Sequence, residues 1–176
     1  AEDTLAYVAL DLTHADGGTL YRVIDGKYLK FEMVWTDSLA ISMGGTTGLP
    51  IPFDAVPLYD SFGQPNLSTV AAYSCLKGQT VNIADAYSEA GFDFSGTRQF
   101  DSNTGYRSKS FLTVPMRNHE NDIIGVLQLI NSQDAAGNIC ALTYFGRASF
   151  SAKKALPVGE LRWVAGRLDQ YDQMLQ

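Results

Sequence analysis

Two apolar segments, residues 110–116 and 123–130, flank the polar hexapeptide Arg117-Asn118-His119-Glu120-Asn121-Asp122. Each reads as a strand, and a short polar turn between strands joins them antiparallel. This hairpin constrains the fold most. An antiparallel ladder must cover at least one of its faces, so the rest of the chain has to supply that cover. Pro115 has no amide to give to a ladder, which predicts an edge or a bulge near the end of the first strand.

A second hairpin is expected upstream, with strands over 19–23 and 28–35 joined by Ile24-Asp25-Gly26, since Asp-Gly supplies the positive φ values of a tight turn. Leu5, Val8, Ala9 and Leu12 mark one face of a helix before it, ended by Asp16-Gly17-Gly18. A short helix over 70–76, closed by Lys77-Gly78, and a brief strand over 80–83 follow, with a last strand around 139–144. Residues 38–66 and 85–108 are rich in Gly, Pro and Asp and read as long irregular excursions; loops of that length in a compact domain usually carry function. In the closing segment Leu161, Val164, Leu168, Tyr171 and Leu175 follow a heptad track. That track serves either a face packed on the sheet or a helix that pairs with its counterpart in a homodimer.

The fold class expected is therefore α+β: an antiparallel sheet of five to six strands, helices packed on one face and ligand loops on the other. The 176 residues suit a single domain, 1–176. A start without Met inside one helical pattern and an end inside another suggest a piece of a longer protein. A net charge of −6 with no Lys/Arg-rich stretch argues against nucleic acid. No apolar run reaches spanning length, so no membrane partner is expected of this segment, and a cytoplasmic location is. Cys75 and Cys140 are far apart and read as buried free thiols.

Three strings carry a resemblance: Val81-Asn-Ile-Ala-Asp-Ala-Tyr87 followed by Phe100-Asp-Ser-Asn-Thr-Gly-Tyr-Arg107, then Ser110-Phe-Leu-Thr-Val-Pro-Met116, then Ile124-Gly-Val-Leu-Gln-Leu-Ile-Asn131. In that order they resemble a GAF domain of the cyclic-nucleotide phosphodiesterase and adenylate-cyclase type, also found in bacterial signalling proteins with HD-type phosphohydrolase outputs. The resemblance implies a profilin-like, PAS-related fold with a pocket on one sheet face, and a sensor that regulates an attached output domain. By position it implies ligand contacts at Trp35 or Thr36 beneath a base, at Thr69, Val70 and Ala71 where helix amides face a phosphate, and at Asp101, Thr104, Ser108 and Gln128. The family's Asn-Lys and Phe-x-x-x-Asp-Glu signature is met by Asn131-Ser132 and by Lys153-Lys154, so its ion pair is missing.

The residues themselves leave alternatives open. Ser68 and Thr69 suit either an anion seat or an ordinary N-cap. Asp85, Asp93 and Asp101 with Phe92, Phe94 and Phe100 suit a small-molecule pocket or a satellite core whose aspartates cap turns. Arg107 suits an anion or, as the safer reading, a carboxylate partner. His14 and His119 lie too far apart to share a metal, and no nucleophile–base pair or Walker loop is present. No catalytic residue, no metal and no cofactor is expected; the partner is a small-molecule ligand, a cyclic nucleotide foremost. The alternatives are a ligand-free GAF domain acting as a dimerisation spacer, and a small enzyme of the free methionine sulfoxide reductase kind, which needs more cysteines than this chain has.

Overall fold

The structure, a computed structural model, describes residues 13–134 and 136–139. Strand β1 (Ala15–Ile24) turns through Asp25 and Gly26, with φ of 53° and 63°, into β2 (Tyr28–Thr36). The Lys27 amide closes the turn on the Ile24 carbonyl at 2.9 Å. Two short strands follow, β3 (Ile41–Gly44) and β4 (Val56–Pro57), then helix α1 (Val70–Lys77), strand β5 (Val81–Ile83), helix α2 (Ser95–Thr104) and the long hairpin β6 (Phe111–Arg117) and β7 (Ile123–Ser132).

All strands join one antiparallel sheet in the order β3-β2-β1-β7-β6-β5, with β4 paired to the start of β2. The β6–β7 hairpin thus sits inside the sheet, as its apolar alternation requires. Pro115 pairs with Val126 beyond the last residue that β5 reaches, and a bulge follows at Met116/Arg117. Its missing amide therefore interrupts no second ladder.

Among the described residues the sheet has seven strands, where five to six were expected. The two additional strands lie in the stretch 38–66, whose glycines and prolines hid them. Residues 85–108 likewise contain α2, which has no apolar stripe for a periodicity to reveal: its one buried residue is Asp101. β1 begins four residues earlier than expected and runs through Gly17 and Gly18. These glycines are there for packing: a Cβ on Gly18 would stand 2.6 Å from Trp35 Cζ2. The expected N-terminal helix, the heptad track, Cys140 and most of the strand around 139–144 lie outside the described residues.

Register assigns the two faces, since paired residues share a face and neighbours alternate. One face carries Leu20, Met33, Trp35, Leu112, Met116, Leu127 and Leu129 in a single buried cluster. On the other, Tyr21 and Val126 pack against Leu29, Leu58 and α1 residues Ala71, Ala72 and Cys75. At the far end of α1, Val70 packs with Ile83, Ala86, Phe94 and Phe111. Helix α1 is therefore fixed at both ends on one face of the central strands.

Candidate functional site

Between the two clusters under α1 runs a row of polar residues. Thr19 pairs with Gln128 across β1–β7, and Gln128 pairs with Thr113 across β6–β7. They share the face of Val126 on one side and of Ile130 and Phe111 on the other. Ala71 packs with Val126, and Val70 packs with Phe111. The first turn of α1 thus lies across the polar row. All three side chains are buried, Thr113 completely. The Gln128 amide donates to Thr113 Oγ1 at 3.0 Å. The Tyr21 hydroxyl, on the same face, is hydrogen-bonded to Thr19, and burial holds its proton above the ordinary tyrosine range. A sheet face buried under a helix is ordinarily apolar, because each polar group there must find a partner.

The start of α1 is the second component. Thr69 occupies the N-cap position and makes no side-chain cap. Its hydroxyl and those of its neighbours are held elsewhere: Asn66 Oδ1 accepts from Ser68 Oγ at 3.0 Å and from Thr69 Oγ1 at 3.4 Å. The Asn66 amide in turn donates to the Pro57 carbonyl at 2.8 Å. Asn66 Oδ1 also accepts the Thr69 amide at 3.4 Å, but among the described residues the Val70 and Ala71 amides meet no side-chain acceptor at the positive end of the helix dipole, where both residues are buried.

The third component is a buried carboxylate. Asp101 on α2 is 4% exposed and accepts three hydrogen bonds: from Tyr87 Oη at 2.6 Å, from the Ser108 amide at 2.8 Å and from Ser108 Oγ at 2.7 Å. It fastens α2 to the segment that enters β6. Asn131 continues the fastening from β7. Its Oδ1 accepts the amides of Lys109 and Ser110 at 2.7 and 3.2 Å, and its Nδ2 donates to the Arg107 carbonyl at 2.8 Å. Ser132, where the family signature has Lys, is buried and donates its hydroxyl to the Thr13 carbonyl.

Of the residues nominated from sequence, Thr69, Val70, Ala71 and Gln128 come together where α1 crosses the polar row. Thr36 lies on the same face one row further along, paired with Gly17, its hydroxyl turned onto the Trp35 carbonyl at 2.9 Å. Trp35 lies on the opposite face, in register with Gly18 and Leu129, because neighbouring strand residues alternate. Asp101 and Ser108 bond each other. Thr104, at the end of α2, is exposed and bonds the Phe100 carbonyl at 2.8 Å. Thr19 and Thr113 were missed; once Gln128 is nominated, the hairpin register alone points to Thr113.

The aromatics of the second long loop are satellite core. Phe94 is buried against Phe111, with ring centres 5.4 Å apart, and Phe92 meets Tyr73 edge-on at 5.3 Å. Asp85 and Asp93 cap turns, accepting the Tyr87 and Ser95 amides at 2.9 and 2.8 Å. Arg107 meets no carboxylate among the described residues; its guanidinium stacks 4.1 Å from the Tyr87 ring centre. Cys75 is a free thiol, and burial raises its pKa. Among the described residues no group of His, Cys, Asp and Glu is arranged to hold a metal, and no helix is long and apolar enough to cross a membrane.

The profile of the GAF domain family matches residues 2–143. The chain belongs to the GAF domain family. Its sequence is 32% identical over 128 residues, 68% of this chain, to a cGMP-specific 3′,5′-cyclic phosphodiesterase of Drosophila ananassae. It is 39% identical over 66 residues, 38% of this chain, to the dual 3′,5′-cyclic-AMP and -GMP phosphodiesterase 11A of Takifugu rubripes. The GAF domain spans only 10% of the first relative and 7% of the second. Among solved structures, the free methionine-R-sulfoxide reductase of Neisseria meningitidis superimposes with a TM-score of 0.53 at 17% identity, covering 98% of this chain and 78% of that one. The A. aeolicus nlh2 GAF domain does so at 0.50 and 11% identity, covering 99% and 86%. At those identities the likeness is one of fold. A GAF domain is a regulatory small-molecule-binding module, and the phosphodiesterases match it in that region alone.

Proposed function

We propose that this GAF domain is a sensor whose ligand is a cyclic nucleotide, held between the sheet and α1, and that it controls an output domain in a longer protein. The observation that carries the reading is the uncapped first turn of α1 lying across the buried row Thr19–Gln128–Thr113. An anionic phosphate suits the free amides and the dipole at that helix start. A purine suits a buried amide and two hydroxyls, which offer both donors and acceptors. Two relatives whose names specify cyclic GMP, or cyclic AMP and GMP, add support. Closure over such a ligand would fall to the excursions 38–66 and 85–108: Phe53 of the first meets Phe31 at a tilt, and Phe92 of the second meets Tyr73 of α1 edge-on. Regulation follows if the ligand binds one arrangement of these loops better than another.

The domain itself is expected to turn over no substrate. Titration calorimetry and thermal melting with cAMP and with cGMP test the ligand class. A saturable heat and a raised melting temperature with one of them support it; no effect from either removes the class. A second reading, a GAF domain that serves as a dimerisation spacer, is favoured by the mutual bonding of Asp101 and Ser108. It predicts a dimer whose melting temperature no nucleotide changes, read by native mass spectrometry and the same melts.

A further inference from the structure

Outside the polar row, two arginines converge on one tyrosine. Arg98, on α2, places its guanidinium carbon 5.8 Å from the Tyr87 ring centre, and Arg107, just beyond α2, places its own at 4.1 Å. The ring is a fixed platform, because its hydroxyl is tied to the buried Asp101 at 2.6 Å. Both arginines are exposed, and among the described residues neither makes an ion pair or a side-chain hydrogen bond. In a chain with 19 acidic and 13 basic residues, two guanidiniums over one ring, with only the exposed Asp93 among the described residues acting on Arg98 from beyond ion-pair distance, are unexpected. Like charges repel, and stacking on the ring face offsets only part of that cost.

We infer that Arg98, Arg107 and Tyr87 form a surface site for a phosphomonoester dianion. Each guanidinium offers a planar fork of donors that matches two oxygens of a phosphoryl group. The two forks come from separate segments held together by Asp101, which keeps the guanidinium carbons 5.8 and 4.1 Å from one ring centre. Two positive charges also favour a dianion over the single charge of a cyclic phosphodiester. The site thus discriminates by charge, and it stands or falls independently of a ligand at the polar row.

Calorimetry of the full chain at low salt, with inorganic phosphate and separately with 5′-AMP, tests the site. Both probes are expected to bind saturably and to weaken as salt rises. Arg98→Gln with Arg107→Gln should weaken both by roughly tenfold or more, from the loss of charge-assisted bonds. Lys30→Gln, an exposed charge on β2 outside both sites, should leave phosphate binding unchanged. Equal affinity of phosphate and 5′-AMP assigns recognition to the phosphoryl group. Unchanged phosphate binding in the double arginine variant, or no saturation in the native chain up to about 10 mM phosphate at low ionic strength, overturns the inference. The arginine variant should melt within a few degrees of the native chain, because exposed side chains contribute little to stability. A shift of phosphate signals in ³¹P NMR, present in native protein and absent in the variant, gives a readout independent of folding heat.

Discussion

Gln128 donates its side-chain amide to the hydroxyl of Thr113 at 3.0 Å, between two directly paired residues of the central hairpin. Both lie in the interior, Thr113 with no exposure at all. Gln128→Leu keeps the volume but strands the Thr113 hydroxyl. It should lower stability by about 1–3 kcal/mol, the cost of an unpaired buried polar group. Adding Thr113→Val removes the stranded hydroxyl and should recover most of that loss in a urea titration. Cyclic-nucleotide affinity should not recover, because the double variant has an apolar floor. Recovered binding in the double variant would show that the floor does not contact the ligand.

Asp101 presents a different case, a carboxylate whose three donors come from two other segments. Asp101→Ala should cost about 2–4 kcal/mol, since bonds to a charged acceptor are strong and the abandoned donors are partly buried. Tyr87→Phe removes one of the three donors and should cost about 1 kcal/mol. Urea midpoints of the two variants check the ranking. A Tyr87→Phe loss as large as that of Asp101→Ala would mean that the hydroxyl bond of Tyr87, and not the two bonds from Ser108, holds the segment.

How much of this was legible follows the physics of each signal. The central hairpin and the Asp25-Gly26 turn were readable because alternation and turn chemistry are local. Strands β3 and β4 were not, because they are short edge pieces stabilised by pairing with β2 and carry little alternation of their own. Helix α2 escaped for a related reason: it is anchored by a polar residue. Gly17 and Gly18 read as a helix stop; the Trp35 carbonyl and Thr36 beside Gly17, and the Gln128 carbonyl and Trp35 indole beside Gly18, explain why the strand needs them. For the site, Gln128, Val70 and Ala71 could be placed by resemblance. That Asp101 binds Ser108 depends on the close approach of α2 to the start of β6, which no spacing reveals.

Three tyrosines make the stability depend on pH at the alkaline end. Burial foremost raises the pKa of Tyr21; for Tyr106 burial is joined by its bond to Asp16, and for Tyr87 the hydrogen bond to Asp101 is the leading cause. Each phenol therefore keeps its proton longer in the folded chain than in the unfolded one. The stabilisation is complete below the unfolded tyrosine value, about 10, and is lost as pH rises from there through the folded values. Melting temperature should hold near neutrality and fall above about pH 10. Tyrosinate absorbance at 295 nm should lag behind that of the urea-unfolded chain. Coincident titration curves for folded and unfolded protein would contradict the shifts.

Gly18 gives the most local test of the sheet. It lies in β1 opposite Trp35, and a Cβ there would stand 2.6 Å from Trp35 Cζ2 while also crowding the Gln128 carbonyl. Gly18→Ala should therefore destabilise by about 1–3 kcal/mol through overpacking, although alanine has the better intrinsic propensity. Trp35→Phe removes the crowding part of the ring but leaves the backbone carbonyl where it is. In a double-mutant cycle the pair should then couple favourably by about 0.5–2 kcal/mol without erasing the whole cost. Urea titrations of the four proteins measure it. Additive losses would mean that the carbonyl alone excludes the methyl, and that the indole is free to move away.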